Sequence, residues 1–111
     1  MPAMSAAADI DRVFQALGDP TRRAIIERLT HGPQSVSRLA DPLGVTVTAI
    51  GQHLQVLQET GFVRTQKLGR VRTCSLETAG FRAVEQWVAE HRLAWERRMD
   101  TLGRLLAEDE D

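Results

Sequence analysis

Apolar positions recur every three or four residues in the first half of the chain, then every second residue, then every three or four again. Ile10, Val13, Phe14 and Leu17 mark one face of a short helix over 6–17. Gly18-Asp19-Pro20 stops it and starts another. Asp19 can accept a hydrogen bond from the new first turn, and Pro20 suits the first helical position, where its missing N–H is harmless. This second helix turns Ile25, Ile26 and Leu29 inward and ends at His31-Gly32-Pro33. Ser35 is placed to cap a short third helix over 36–43, and Gly44 to turn the chain. Thr46 caps a fourth helix that reaches Thr60 and closes at Gly61. Helix, glycine-containing turn and helix are the outline of a helix-turn-helix over 35–60.

Beyond Gly61 the period becomes two. Residues 62–67 and 71–76 predict paired strands joined through Leu68-Gly69-Arg70, a wing over 62–76. From Thr78 the helical period returns over 78–107, with Phe81, Val84, Val88, His91, Trp95, Met99, Leu102 and Leu106 on one stripe. The expected order is α-α-α-α-β-β-α. That is a mainly α fold with a small β-hairpin, a winged helix-turn-helix with a helix added at each end, as one domain over 1–111.

With 111 residues, 42% of them hydrophobic, the chain suits one domain with a modest core. No apolar run approaches the length of a membrane span, so no membrane partner is expected. The start has neither a basic n-region nor an apolar h-region, so no signal peptide is expected. The lone cysteine, Cys74, excludes an intramolecular disulfide framework and agrees with a cytoplasmic location. Two readings of Cys74 stand: a small core filler, or a redox-active thiol whose pKa the adjacent Arg72 lowers. No phosphate-binding glycine loop, nucleophile–base set or metalloprotease motif occurs, so an enzyme is not expected.

Charge changes the picture more than composition. The net charge is only −1. Residues 33–76 nevertheless hold five basic side chains against two acids, whereas 77–111 hold five against nine and end in four acids expected to be solvated. A basic middle beside an acidic end suggests a polyanionic partner for the middle. Within that middle, residues 42–58 carry no charged side chain at all.

A helical wheel at 100° per residue gathers Val47, Ile50, Leu54 and Leu57 toward the core, flanked by Gly51 and His53. Thr48, Ala49, Gln52, Gln55 and Val56 lie opposite. A merely solvated helix usually carries Glu, Lys or Arg there; short neutral donors, acceptors and methyl groups instead suit base-pair edges. Thr46, Thr48, Ala49 and Gln52, near the helix start, are the expected readers, with Gln55 beside them. The alternative is an ordinary surface helix. Lys67, Arg70 and Arg72 on the hairpin are expected to meet phosphates, although cations on edge strands also discourage aggregation. Ser35 and Ser37 complete the expected DNA-contact set.

The last helix is too long and too apolar on one face for so small a domain to cover. Val13, Phe14, Phe81, Val84, Val88, His91, Trp95, Met99 and Leu102 are therefore the expected interface of a twofold homodimer. A small apolar effector seated between the subunits is a second reading of the tryptophans. Twofold symmetry sets two reading helices about 34 Å apart and implies a pseudo-palindromic operator.

The stretches F-Q-A-L-G-D-P-T-R-R-A-I-I-E-R-L, S-V-S-R-L-A, V-T-V-T-A-I-G-Q-H-L-Q-V-L-Q-E-T-G-F-V and G-R-V-R-T-C-S-L, spanning about residues 14–76, resemble the ArsR/SmtB winged helix-turn-helix repressors. The resemblance implies a homodimer that binds an operator, represses transcription and releases on a signal. It departs from the family's common pattern at Thr46-Val47, where Ser-Gln is frequent, at Gly51, where Ser is frequent, and at Gln52, where a basic residue is frequent. His53 matches the family's histidine. It either contacts DNA or bonds to the neighbouring helix. Metal-sensing members carry C-V-C where this chain has Ser35-Val36-Ser37, and serine hydroxyls are poor ligands for the metals concerned. On the last helix only His91 stands near Glu85, Glu90 and Glu96, so no metal or other cofactor is expected. The leading expectation is a metal-independent, sequence-specific transcriptional repressor. A protein-interaction module and a sensor with inter-subunit ligands are the alternatives.

Overall fold

The computed structural model describes residues 6–108; the ends, 1–5 and 109–111, including most of the acidic terminus, lie outside it. Five helices and three short strands follow in the order α1 (Ala6–Gly18), α2 (Pro20–Leu29), β1 (Gln34–Ser35), α3 (Val36–Leu43), α4 (Val47–Glu59), β2 (Val63–Leu68), β3 (Val71–Leu76) and α5 (Ala79–Glu108). The fold is the expected winged helix-turn-helix with one addition. β1 was not expected. It pairs antiparallel with β3 through Gln34↔Cys74 and Ser35↔Thr73, giving a sheet of order β1-β3-β2. Two residues are too few for alternation to announce a strand, and only the open edge of β3, far along the chain, makes one of them.

The helix starts follow from local chemistry. Asp19 accepts from the Arg22 N–H at 2.9 Å, with Pro20 opening α2. Thr46 accepts from the Ala49 N–H at 3.0 Å. Ser35 accepts from the Arg38 N–H at a longer 3.4 Å. Each satisfies one of the donors that a helix start leaves without a partner. Gly44 ends α3 at a φ of 67°.

Ile25, Ile26 and Leu29 of α2 meet Leu39 and Ala40 of α3, and Ile50, Leu54 and Leu57 of α4, in the buried core. Phe62 and Val63, where the chain enters β2, close it from below together with Cys74. The start of α5 docks at this corner. Gly61 has a φ of 81°, its carbonyl accepts from the Gly80 N–H at 2.8 Å, and a Cβ on Gly80 would come within 2.9 Å of the Phe62 ring. Two glycines thus let α5 leave from against the end of α4, and Phe81 packs edge-on to Phe62 with centroids 4.9 Å apart.

From Arg92 onward every described residue of α5 is exposed, and the molecule measures 72 × 35 × 20 Å. A 30-residue helix is about 45 Å long, so its far half projects beyond the domain that its near half rests on. Among the described residues no helix is long and apolar enough to cross a membrane.

Candidate nucleic-acid interface

The core fixes which way α4 faces. Ile50, Leu54 and Leu57 are buried, and this holds the opposite arc in solvent: Val47, Thr48, Gln52 and Gln55 are exposed. Val47 corrects the wheel. It was expected inward but, as the first residue of α4, is 55% exposed, whereas Ile50 in the same turn is fully buried. Ala49 and Val56, expected outward, are half-buried on the side of α4 that bears His53. The outward arc is therefore rotated toward Val47, Gly51 and Gln55, and it bears no charged side chain until Glu59.

Individual groups on this arc differ in what they have left to offer. The Thr46 oxygen serves the cap, and its hydroxyl proton remains to donate. Gln55 donates through Nε2 to Glu59 at 3.3 Å, a contact between exposed groups that is easily exchanged for another. Ser35 and Ser37 lie at the start of α3 with their hydroxyls 3.4 Å apart.

His53 faces inward along the domain. Its Nδ1 lies 3.4 Å from an Arg22 terminal nitrogen and 3.9 Å from the Asp19 carboxylate. With the ring proton on Nε2, Nδ1 accepts from Arg22. The same guanidinium donates to the carbonyls of Ala16 at 2.8 Å and Gln15 at 2.9 Å, at the end of α1. Arg22 is a component that sequence reasoning missed, since its partners lie on two other helices. The Asp19 carboxyl is held below the usual carboxylate range, chiefly by the Arg22 N–H; partial burial opposes this, and the charges of His53 and Arg22 and the Thr21 N–H assist.

The wing stands beside α4. Gln58 of α4 donates to Thr65 of β2, and Arg72 of β3 borders the hollow that Gln55 and Gln58 line. Lys67, Arg70 and Arg72 are all exposed. Lys67 and Arg72 are direct cross-strand partners, and like charges facing each other across a strand pair are destabilising. Arg64 differs: its Nε lies 3.7 Å from Glu77, so its charge is partly answered within the chain. Cys74 is fully buried; burial raises its thiol pKa and Arg72 only partly opposes this. The environment is that of a core filler.

The residues expected at a dimer interface divide into two groups. Val13 is buried in the protomer's own core, and Phe81 and Val84 are half-buried against it, so these three are largely spent within one copy. Phe14, Val88, Trp95, Met99 and Leu102 are exposed, and Leu105 and Leu106, also exposed, extend the same ridge. Phe14 of α1 meets Trp87 edge-on at 5.2 Å, and His91 stacks on Trp87 at 4.0 Å while its Nδ1–H donates to the Trp87 carbonyl at 2.8 Å. A cleft of about 470 Å³ between α1 and α5 is lined by Asp9, Ile10, Val13, Ala83, Trp87 and Glu90, among others. Among the described residues no three His, Cys, Asp or Glu side chains are grouped to hold a metal ion.

Comparison with known proteins agrees with this geometry. A helix-turn-helix domain family matches residues 17–66. The HTH-type transcriptional regulator Rv2034 of Mycobacterium tuberculosis is 44% identical over 81 residues, 73% of this chain and 76% of that protein. The transcriptional repressor SdpR of Bacillus subtilis is 27% identical over 79 residues, 71% of this chain and 88% of that protein. The crystal structure of the ArsR family transcriptional regulator RHA00566 superposes with a TM-score of 0.76 at 44% identity, covering 86% of this chain and 97% of that one.

Proposed function

This chain belongs to the ArsR family of winged helix-turn-helix transcriptional regulators, and from that premise we propose that it is a metal-independent repressor that binds a pseudo-palindromic operator as a homodimer. It is a DNA-binding regulator and not an enzyme. The observation that carries the finer reading is the pairing of two surfaces. An uncharged arc on α4, with Thr48, Gln52 and Gln55 outward, stands beside a wing on which Lys67 and Arg72 face each other. The arc offers hydrogen bonds and methyl groups without charge, which suits base edges. The wing holds two cations whose repulsion a phosphate would relieve. Thr46, Ser35 and Ser37 would border the groove, Ala49 would meet it only at the half-buried edge of the arc, and Arg70 at the hairpin tip would reach the flanking backbone.

Repression is supported by the likeness to SdpR, which is a transcriptional repressor. The dimer is supported by the ridge from Val88 to Leu106, which one copy leaves in water. Metal independence is supported by Ser35 and Ser37, whose hydroxyls are weak ligands and one of which already caps α3. The cleft between α1 and α5 is the place this reading gives to a small-molecule effector.

The test is a titration of the protein onto a labelled duplex from upstream of its own gene, with a scrambled duplex as control. It is run at two salt concentrations, with and without Zn²⁺ and Ni²⁺. The expected result is tighter binding to the native duplex, a steep loss with salt and no response to metal. Salt-insensitive binding, or none to any duplex, would transfer the α4 face to a protein partner. Release by metal would restore a sensor.

A further inference from the structure

Glycine is the least favourable residue in a helix interior apart from proline, and Gly51 occupies the middle of α4 with no internal reason for it. A Cβ built there meets no atom within 4 Å, and its φ lies outside the left-handed region. Gly61 and Gly80 differ, since added Cβ atoms there would press on neighbouring atoms. Gly51 is therefore not needed for folding, packing or backbone conformation. It lies one turn from Val47 and one turn from Gln55 on the outward arc, and opens on a hollow of about 280 Å³ lined by Val36, Leu54, Gln55, Gln58 and Arg72.

We infer that the space left at Gly51 receives the C5-methyl group of a thymine in the major groove, making Gly51 a specificity-determining position. The inference rests on the DNA-binding reading above. Its chemistry is that of the surroundings. Val36 offers half-buried carbon on one side of the hollow, and Val47, 55% exposed and without a core role, offers it nearby on the helix. A methyl group placed there meets the carbon of Val36 and Leu54, within a rim that Gln55, Gln58 and Arg72 make polar. Discrimination rests on the methyl group alone, since the amide oxygens of Gln55 and Gln58 on the rim can accept from the N4 amino group of a cytosine. One turn further along, Gln55 can bridge N6 and N7 of an adenine, and Arg72 closes the far side of the hollow with a charge suited to phosphate. Helix α4 and the neighbouring β3 thus present, in order, a methyl-sized recess and an amide on the helix and a cation on the strand.

The experiment begins with duplexes selected from a random pool by the full-length wild-type protein. The consensus is expected to hold a thymine in each half-site whose replacement by deoxyuridine weakens wild-type binding by about fourfold, the scale of one buried methyl group. Gly51→Ala supplies a methyl from the protein side. It should melt at or above the wild-type temperature, bind the thymine duplex several-fold more weakly, and lose most of that deficit on the deoxyuridine duplex. If Gly51→Ala binds the selected duplex as tightly as wild type, or its deficit is unchanged at every deoxyuridine position, the thymine recess is overturned while DNA reading stands. If the wild-type protein selects no consensus, DNA reading itself falls and the recess with it.

Discussion

The Arg22 guanidinium lies 3.4 Å from Nδ1 of His53, and its other nitrogens hold the carbonyls of Ala16 and Gln15. One side chain on α2 thereby joins the end of α1, whose Phe14 faces the α5 ridge, to the helix proposed to read DNA. Hydrogen bonds to a charged group contribute about 1.5–3 kcal/mol. Arg22→Ala is expected to lower stability by about 2 kcal/mol in urea unfolding. Arg22→Lys should recover less than half, since a single ammonium cannot span three acceptors. His53→Ala should cost clearly less than Arg22→Ala, because it leaves both carbonyl bonds in place; equal losses would locate the energy in the His53 contact.

The cap at Asp19 gives a pH dependence with a definite sign. Its folded pKa is depressed, so the stabilisation by its charge is fully present above the unfolded value of about 3.9. It is lost as pH falls through the folded value. Asp19→Asn keeps an oxygen that can cap α2 but cannot titrate. The stability difference between wild type and Asp19→Asn should therefore shrink as pH falls below about 4. A difference that grows as pH falls below about 4 would contradict this assignment.

What local chemistry determines was legible in the sequence; what distance determines was not. Asp19, Ser35 and Thr46 cap helices through partners three residues away, so composition alone placed them. The Arg22–His53 contact spans 31 residues, and β1 exists only because β3 lies beside it. A helical wheel treats a helix as endless and so turns Val47 inward, although it is the first residue of α4 and stays exposed while Ile50 is fully buried. The α5 stripe is continuous in sequence yet serves two purposes. Phe81 and Val84 rest on the protomer, whereas Val88, Trp95, Met99 and Leu102 face solvent, and periodicity cannot mark where one role gives way to the other.

Base reading and phosphate contact should separate by mutation. Gln52→Ala is expected to reduce the preference for operator over scrambled DNA, by a margin of about 1–3 kcal/mol if the amide bridges a base. Arg70→Ala should weaken both duplexes alike and make the slope of log K against log salt shallower by about 1. If Gln52→Ala leaves the preference intact, the reading arc lies elsewhere on α4.

Cys74 should be inert while the protein is folded. Its thiol is fully buried with a raised pKa, so the thiolate required by disulfide reagents is both scarce and shielded. At pH 8 the Ellman reagent should react only at the rate of unfolding, and fully in denaturant. The sign of the linkage is opposite to that of Asp19: stabilisation is complete below the ordinary thiol pKa of about 8.5 and falls as pH rises toward the folded value. Rapid labelling of the native protein would reopen the redox reading.

The ridge on α5 is where protomer and assembly can be told apart. Trp95 is 54% and Met99 67% exposed in one copy, so Trp95→Glu or Met99→Glu removes little that the protomer needs. Were the ridge buried against a second copy, each large apolar side chain would contribute about 1.5–3 kcal/mol to association, and a carboxylate in its place would lie unpaired in that interface. Either variant is expected to keep its helical circular dichroism yet sediment as a monomer at concentrations where wild type is dimeric. Operator affinity should fall at least tenfold, because two half-sites no longer act through one linked body. A variant that stays dimeric and binds operator normally would move the interface off α5. A variant that becomes monomeric with unchanged affinity would show that one copy reads its half-site unaided.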